Sequence, residues 1–283
     1  MTIGHRTRFG RHPTMPIFRL LFSARMIAIA GSGLGGSMRM IKLASLIFCG
    51  LFALAGVGRA QQVKVTEPVL GELANVCHLF TYRDKPLVDS ENNGSAVLYR
   101  GRYLITAAHN VHSTRLSPLT SLKVACGKSA PTEAEHVEVD VSQIRVARGY
   151  RWFPKRFSRD FAVIRLAQPI ATAIPMELFG GSLAEGSVPI ELAGFPGTDD
   201  KSDEMDGWTL FKASGTASSE GDRSFLYYRA GAEKGNSGGP VWTMVDGRPL
   251  VVGIHIRSSG ARLVNRFFRD EVDRMISELD SAD

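Results

Sequence analysis

Residues 235–256 read GNSGGPVWTMVDGRPLVVGIHI, and this stretch decides the class of fold. Two short apolar runs, 240–245 and 250–256, flank Asp246-Gly247. Asp and Gly tolerate the positive φ of a tight turn, so the pair predicts a two-residue β-hairpin. Upstream, runs of similar length are separated by Gly, Asn, Asp, Ser and Pro clusters, which predicts strands over 73–82, 95–98, 103–107, 122–125, 137–146, 161–166, 188–193, 210–213 and 225–228. The C-terminal end differs: Phe268, Val272, Met275, Ile276 and Leu279 recur at helical spacing, predicting an amphipathic helix over 266–280. About eleven strands after residue 60 suffice for two small antiparallel barrels or sandwiches, with Pro169 to Pro175 as the connection.

The net charge of +6, from 34 Lys+Arg against 28 Asp+Glu, first suggests an anionic partner such as nucleic acid. Its distribution removes that suggestion. Eight of the basic residues, and no acidic one, fall in residues 1–60, so 61–283 carries 26 against 28, a net of −2. Residues 38–60, MRMIKLASLIFCGLFALAGVGRA, combine basic Arg39 and Lys42, an apolar run over 43–57 and small residues at Gly58 and Ala60. That order predicts a secretory signal peptide cleaved after Ala60, hence a secreted or periplasmic protein starting near Gln61, with the true start at Met38 or Met40. The run of 15 residues falls short of the about 20 that span a bilayer, so no stable membrane insertion is expected. Phe48 is too bulky before Cys49 for a lipoprotein signal, and the glycines Gly31, Gly33 and Gly36 lack the strand and acidic partner of a dinucleotide site. Two cysteines remain after cleavage. Cys77 and Cys126 fit either one disulfide or two small buried hydrophobes.

Three stretches carry chemistry. In Gly235-Asn236-Ser237-Gly238-Gly239-Pro240, glycine neighbours let a carbonyl approach the Ser237 hydroxyl and leave the N–H groups of Gly235 and Ser237 aimed at a developing oxyanion. Taken alone it also reads as a Gly-rich turn before a strand. Residues 103–109, YLITAAH, end an apolar strand with two small residues and His109, and an imidazole is the side-chain type suited to take the proton of a serine hydroxyl. Asp160 opens the apolar run FAVIRL and is placed to accept the Nδ1–H of such a histidine, although alone it reads as a turn residue.

In combination and in this order, AAH, DFAVIRL and GNSGGPV resemble the trypsin/chymotrypsin-type serine proteases, with NGSAVL, AGFPG and VVGIH as matching context. The likeness is to the bacterial branch near the glutamyl endopeptidases. It implies an all-β fold of two antiparallel six-stranded barrels with the site in the cleft and a C-terminal helix. The leader would be 1–60, the first barrel 61–172 with His109 and Asp160, and the second 173–283 with Ser237. It also implies His109, Asp160 and Ser237 as catalytic triad, Gly235 and Ser237 as oxyanion hole, polypeptide substrates, no cofactor, no metal and a monomer.

Several residues depart from the family pattern. Asn110 stands where vertebrate-type enzymes have a cysteine directly after the histidine, and that cysteine's partner is missing too. Gly231 stands where trypsins carry the aspartate that selects Arg or Lys. His255 occupies the position that binds an acidic substrate side chain in the glutamyl branch, with partial protonation strengthening the bond. Ala232 stands where that branch has Thr or Ser, so small or medium apolar residues compete with Glu and Asp as the residue before the scissile bond.

Other readings fare worse. Only 46 residues and one histidine follow Ser237, too few for an α/β-hydrolase, whose acid and histidine come after the nucleophile. His109 and His112 lack a third metal ligand motif, and the acidic residues from Asp199 to Asp206 lack a calcium-loop pattern. Arg151, Lys155, Arg156 and Arg159 read as a solvated rim without aromatic interleaving. The rival from another class is a catalytically silent protease fold that binds or scaffolds.

Overall fold

The computed structural model describes residues 61–283 apart from 85–89, 115, 151–156, 182, 184–185, 198–204, 219–223, 258–259 and 283. The leader with Cys49 and the Gly31 motif, the basic residues Arg151, Lys155 and Arg156, and the acidic residues Asp199 to Glu204 lie outside the described residues.

In chain order the elements are β1 (Val63–Lys64), β2 (Val76–Arg83), β3 (Ser90–Tyr99), β4 (Tyr103–Thr106), α1 (Ala108–Val111), β5 (Leu119–Cys126), β6 (Val137–Val139), β7 (Ile144–Val146) and β8 (Ala162–Arg165). They continue as β9 (Glu177–Leu178), β10 (Val188–Gly194), β11 (Phe211–Ser218), β12 (Phe225–Arg229), β13 (Pro240–Val245), β14 (Arg248–Arg257), β15 (Gly260–Leu263) and α2 (Arg266–Asp280). The fold is the mostly-β, two-barrel architecture with one C-terminal helix. The first sheet runs β6-β5-β2-β3-β4-β8-β7 and curves as a half-barrel. The second runs β11-β10-β13-β14-β15-β12, and β12 pairs back onto β11, closing a six-stranded barrel.

The hairpin that set the class is present. Asp246 (φ 49°) and Gly247 (φ 75°) turn between β13 and β14 as their residue types require. The helix also falls on its predicted residues, and the Asn265 side chain caps it by accepting the Phe268 N–H at 2.9 Å. Elsewhere the chain is more broken than its apolar runs suggest. The expected strand over 137–146 splits into β6 and β7, because the Asp140 carboxylate accepts the Ser142 N–H at 2.8 Å and starts a 3-10 turn over Val141–Gln143. The strand expected from 73 begins only at Val76, behind a 3-10 turn over Gly71–Asn75.

Cys77 and Cys126 face each other across β2 and β5 and form a disulfide. Leu79, Leu98, Leu104, Leu122 and Ile164 fill the first sheet, and Ile190, Leu192, Leu226, Val241 and Val252 fill the barrel. A third cluster joins the two: Ile105, Phe161 and Val163 pack with Phe195, Trp242 and Ile254, and with Phe268, Val272 and Met275 of α2. Both ends of the described chain cross over. β1 pairs with β11 of the barrel, while α2 returns to the first sheet, where the Leu279 carbonyl accepts from Arg165 at 3.0 Å and Asp280 accepts from Tyr103 Oη at 2.6 Å.

Candidate active site

β4 and β8 lie side by side, with Thr106 opposite Ala162, so the residues just beyond the end of one and just before the start of the other come together. Ala107 and Ala108 are fully buried, and their small side chains let the backbone turn into α1. His109 therefore sits on a single helical turn rather than at a strand end. Asp160 is fully buried and holds His109 twice: Oδ2 lies 2.8 Å from Nδ1, and Oδ1 accepts the His109 backbone N–H at 2.9 Å. A carboxylate at Nδ1 selects the tautomer with the proton there and leaves Nε2 as the basic nitrogen. Beneath the aspartate, the Phe161 ring packs on Phe268 of α2 with centroids 4.4 Å apart.

Ser237 is held by the first sheet. Its carbonyl accepts the Ser95 N–H at 2.8 Å and the Asn110 side-chain amide at 2.7 Å. The Ser95 hydroxyl donates to the Gly235 carbonyl at 2.7 Å and accepts the Phe195 N–H at 2.9 Å. So close an approach needs Gly238: it sits at φ +89°, and a Cβ there would lie 2.0 Å from the Ser95 carbonyl oxygen. The Lys234 carbonyl is taken by the Gly197 N–H at 2.7 Å. In a trans peptide the N–H points opposite to the C=O, so the Gly235 N–H is turned away from that bond. Neither it nor the Ser237 N–H is used by a protein acceptor among the described residues. The two donors assigned to an oxyanion hole are free for one.

His109, Ser237 and Gly235 line one cleft of about 550 Å³, together with Asn110, Arg83 and Lys234. No hydrogen bond joins Ser237 Oγ to His109. Such links commonly form only with substrate in place. Asn236, beneath the loop, is fully buried with both amide atoms unpaired to protein.

Gly231, Ala232 and His255 do not line this cleft. Ala232 packs into the barrel core. His255 is 1% exposed, its Nδ1 hydrogen-bonds the Tyr228 hydroxyl, and burial, aided by the nearby His109 ring, pushes its pKa down to about 3. The imidazole is therefore neutral at neutral pH, and the partial protonation expected from sequence is corrected by desolvation.

Residues 94–254 match the family described as Trypsin-like peptidase domain. The chain belongs to that family. No curated protein sequence matches it. Among solved structures it is similar to a Glu endopeptidase determined in complex with MPD, with 19% identity and a TM-score of 0.61, covering 78% of this chain and 99% of that one. It is also similar to the scabies mite inactivated protease paralogue S-I1, with 14% identity and a TM-score of 0.57, covering 77% of this chain and 99% of that one. At these identities the likeness is one of fold. As a trypsin-like peptidase the chain is a hydrolase of the serine endopeptidase class, and its substrates are polypeptides.

Sequence reasoning missed how this peptidase braces its site. Ser95 appeared only as context and Asn110 only as a departure, yet both hold the Ser237 loop. Arg262, fully buried on β15, donates to the Ser158 carbonyl at 2.8 Å and to the Ser224 carbonyl at 3.0 Å, tying the approach to Asp160 to the barrel. Each role depends on residues far away in sequence, so no local pattern announces it.

Proposed function

We propose that this trypsin-like peptidase cleaves peptide bonds through an acyl-enzyme on Ser237. Ser237 Oγ attacks the scissile carbonyl while His109 Nε2 takes its proton, and Asp160 holds the ring and stabilises the imidazolium. The N–H groups of Gly235 and Ser237 bind the oxyanion. His109 then protonates the leaving amine and activates the water that releases the acyl half. The observation that carries this reading is the paired grip of buried Asp160 on His109 in the cleft that Ser237 lines. Neither a cofactor nor a metal is required, and one chain suffices.

The acyl residue of the substrate is assigned to the side of Ser237 where Gly231, Ala232 and His255 lie. A preference for Glu or Asp there rests on an N–H of neutral His255. The second reading, small or medium apolar residues, is favoured by uncharged Gly231 and Ala232 and by the burial that keeps His255 neutral. We further assign the protein to the exterior of the cell or the periplasm, with cleavage after Ala60. The Cys77–Cys126 disulfide supports an oxidising compartment, and no helix among the described residues is long and apolar enough to cross a membrane.

Peptide-library cleavage by the chain from Gln61 tests the reading, with Ser237→Ala and His255→Ala beside it. Turnover is expected to vanish in Ser237→Ala. Turnover undiminished in that variant would refute the acyl-enzyme, and an acidic preference unaltered in His255→Ala would remove the imidazole's part in it.

A further inference from the structure

Among its described residues, the cleft beside Ser237 is one-sided in charge. Arg83 and Lys234 line it, and no Asp or Glu is among its described lining residues. Arg83 is 8% exposed, and its guanidinium donates to the main-chain carbonyls of Asn110 at 2.7 Å, His112 at 2.8 Å and Ser117 at 3.4 Å. Those acceptors are dipoles without net charge, and no carboxylate pairs with Arg83 among the described residues. An arginine stays protonated through such burial. A cation taken out of water without a counter-ion is unfavourable, and a bound anion relieves the cost. Because the carbonyls belong to the segment that follows His109, the charge is built into the wall of the site.

Its position names the half of the substrate that meets it. Gly231, Ala232 and His255, on the acyl side, are absent from this cleft, while Gly94, Asn110 and Arg83 line it. A chain that crosses Ser237 with its acyl residue on the first side carries its leaving half into the second. Two extended residues span about 7 Å, the linear scale of a cavity of about 550 Å³.

We propose that this cleft is an anion subsite of the leaving half, taking a carboxylate carried on the first or second residue after the scissile bond. The inference rests on the acyl-transfer reading above. Two sources supply that chemistry: an Asp or Glu side chain, or the C-terminal carboxylate of a short leaving peptide.

Acyl-enzyme partitioning tests it without reference to the acyl-side pocket. An acyl-enzyme formed from an activated ester is offered an amine acceptor in competition with water. The amine nitrogen bonds to the acyl carbon, the bond to Ser237 Oγ breaks, and the surplus amine proton passes through His109 to the serine oxygen. Glutamic acid α-amide is compared with glutamine amide, which isolates the side-chain carboxylate, and Gly-Gly with Gly-Gly-amide, which isolates the terminal one. At least one acid is expected to be captured about tenfold better than its neutral mate, the scale of a charge-assisted hydrogen bond. The favoured pair identifies the source. Arg83→Gln is expected to abolish the preference, and if that variant does not fold, Lys234→Gln is expected to reduce it. Equal capture within both pairs by the unaltered enzyme overturns the subsite. Failure to form any acyl-enzyme refutes the catalytic reading instead. The subsite is then read from binding to the Ser237→Ala chain of peptides that carry the same acid and amide pairs after the scissile position, where equal affinities overturn it.

Discussion

Asn110 joins the turn that carries His109 to the loop that carries Ser237. It follows His109 directly, and its amide donates to the Ser237 carbonyl and lies 3.1 Å from Thr106 Oγ1. Asn110→Ala is expected to lower kcat by about 10–100-fold with KM little changed, because small misplacements of reacting groups are costly. A change in KM alone, in steady-state kinetics on a matched peptide, would contradict a positioning role. His78 on β2 makes a different kind of claim. It is fully buried with Nδ1 2.8 Å from His136 Nε2, and burial first, then His136, pushes its pKa from 6.5 down to about 4. Below pH 6.5 the unfolded chain binds a proton that the folded chain refuses, so this contribution to stability is complete above pH 6.5 and is lost as pH falls toward 4. The shift corresponds to about 3 kcal/mol. Buried His255 acts with the same sign over a range that extends to about pH 3. Thermal melting temperature is expected to fall steadily from pH 6.5 to 4, less steeply in His78→Gln; a flat profile would contradict the account.

The elements legible in the sequence are those whose signals are local. Asp246-Gly247 carries its own turn preference, and the apolar residues of α2 repeat within one segment. β1, β9 and β15 escaped because two to four residues hold no periodicity, and they are strands only through their distant partners. His109 was legible as a residue type after small neighbours, but the helical turn that carries it was not. Nor was the support of Asp160 by the helix. Phe268→Ala, which empties the space against Phe161, is expected to cost about 3–5 kcal/mol in denaturant unfolding and to lower kcat as Asp160 loses its footing. A full stability loss with kcat retained would separate the packing from the site. The Cys77–Cys126 bond, spanning 49 residues, ties β2 to β5. Its replacement by two alanines is expected to cost about 2–4 kcal/mol, measured in the same way.

At the scale of the whole molecule, two β-structures contribute unlike parts to the cleft: the first sheet and the turn after β4 bring His109, Asp160, Ser95 and Asn110, and the barrel brings Gly235 and Ser237. β1 and α2 cross between them in opposite directions, so neither carries the site alone. The two-barrel class was legible because short strands and turn signals recur along the chain, whereas the crossing ends were not, being contacts between its extremes. Export is tested on the same scale: N-terminal sequencing of the protein recovered outside the cytoplasm is expected to begin at Gln61, and a chain retaining residues 38–60 would refute cleavage. The central claim is most directly tested by treating the folded protein with an organophosphonate and locating the adduct by mass spectrometry. One label per chain on Ser237 is expected, lost on unfolding and in His109→Ala; a folded protein that takes no label, or takes it on another residue, would contradict the account.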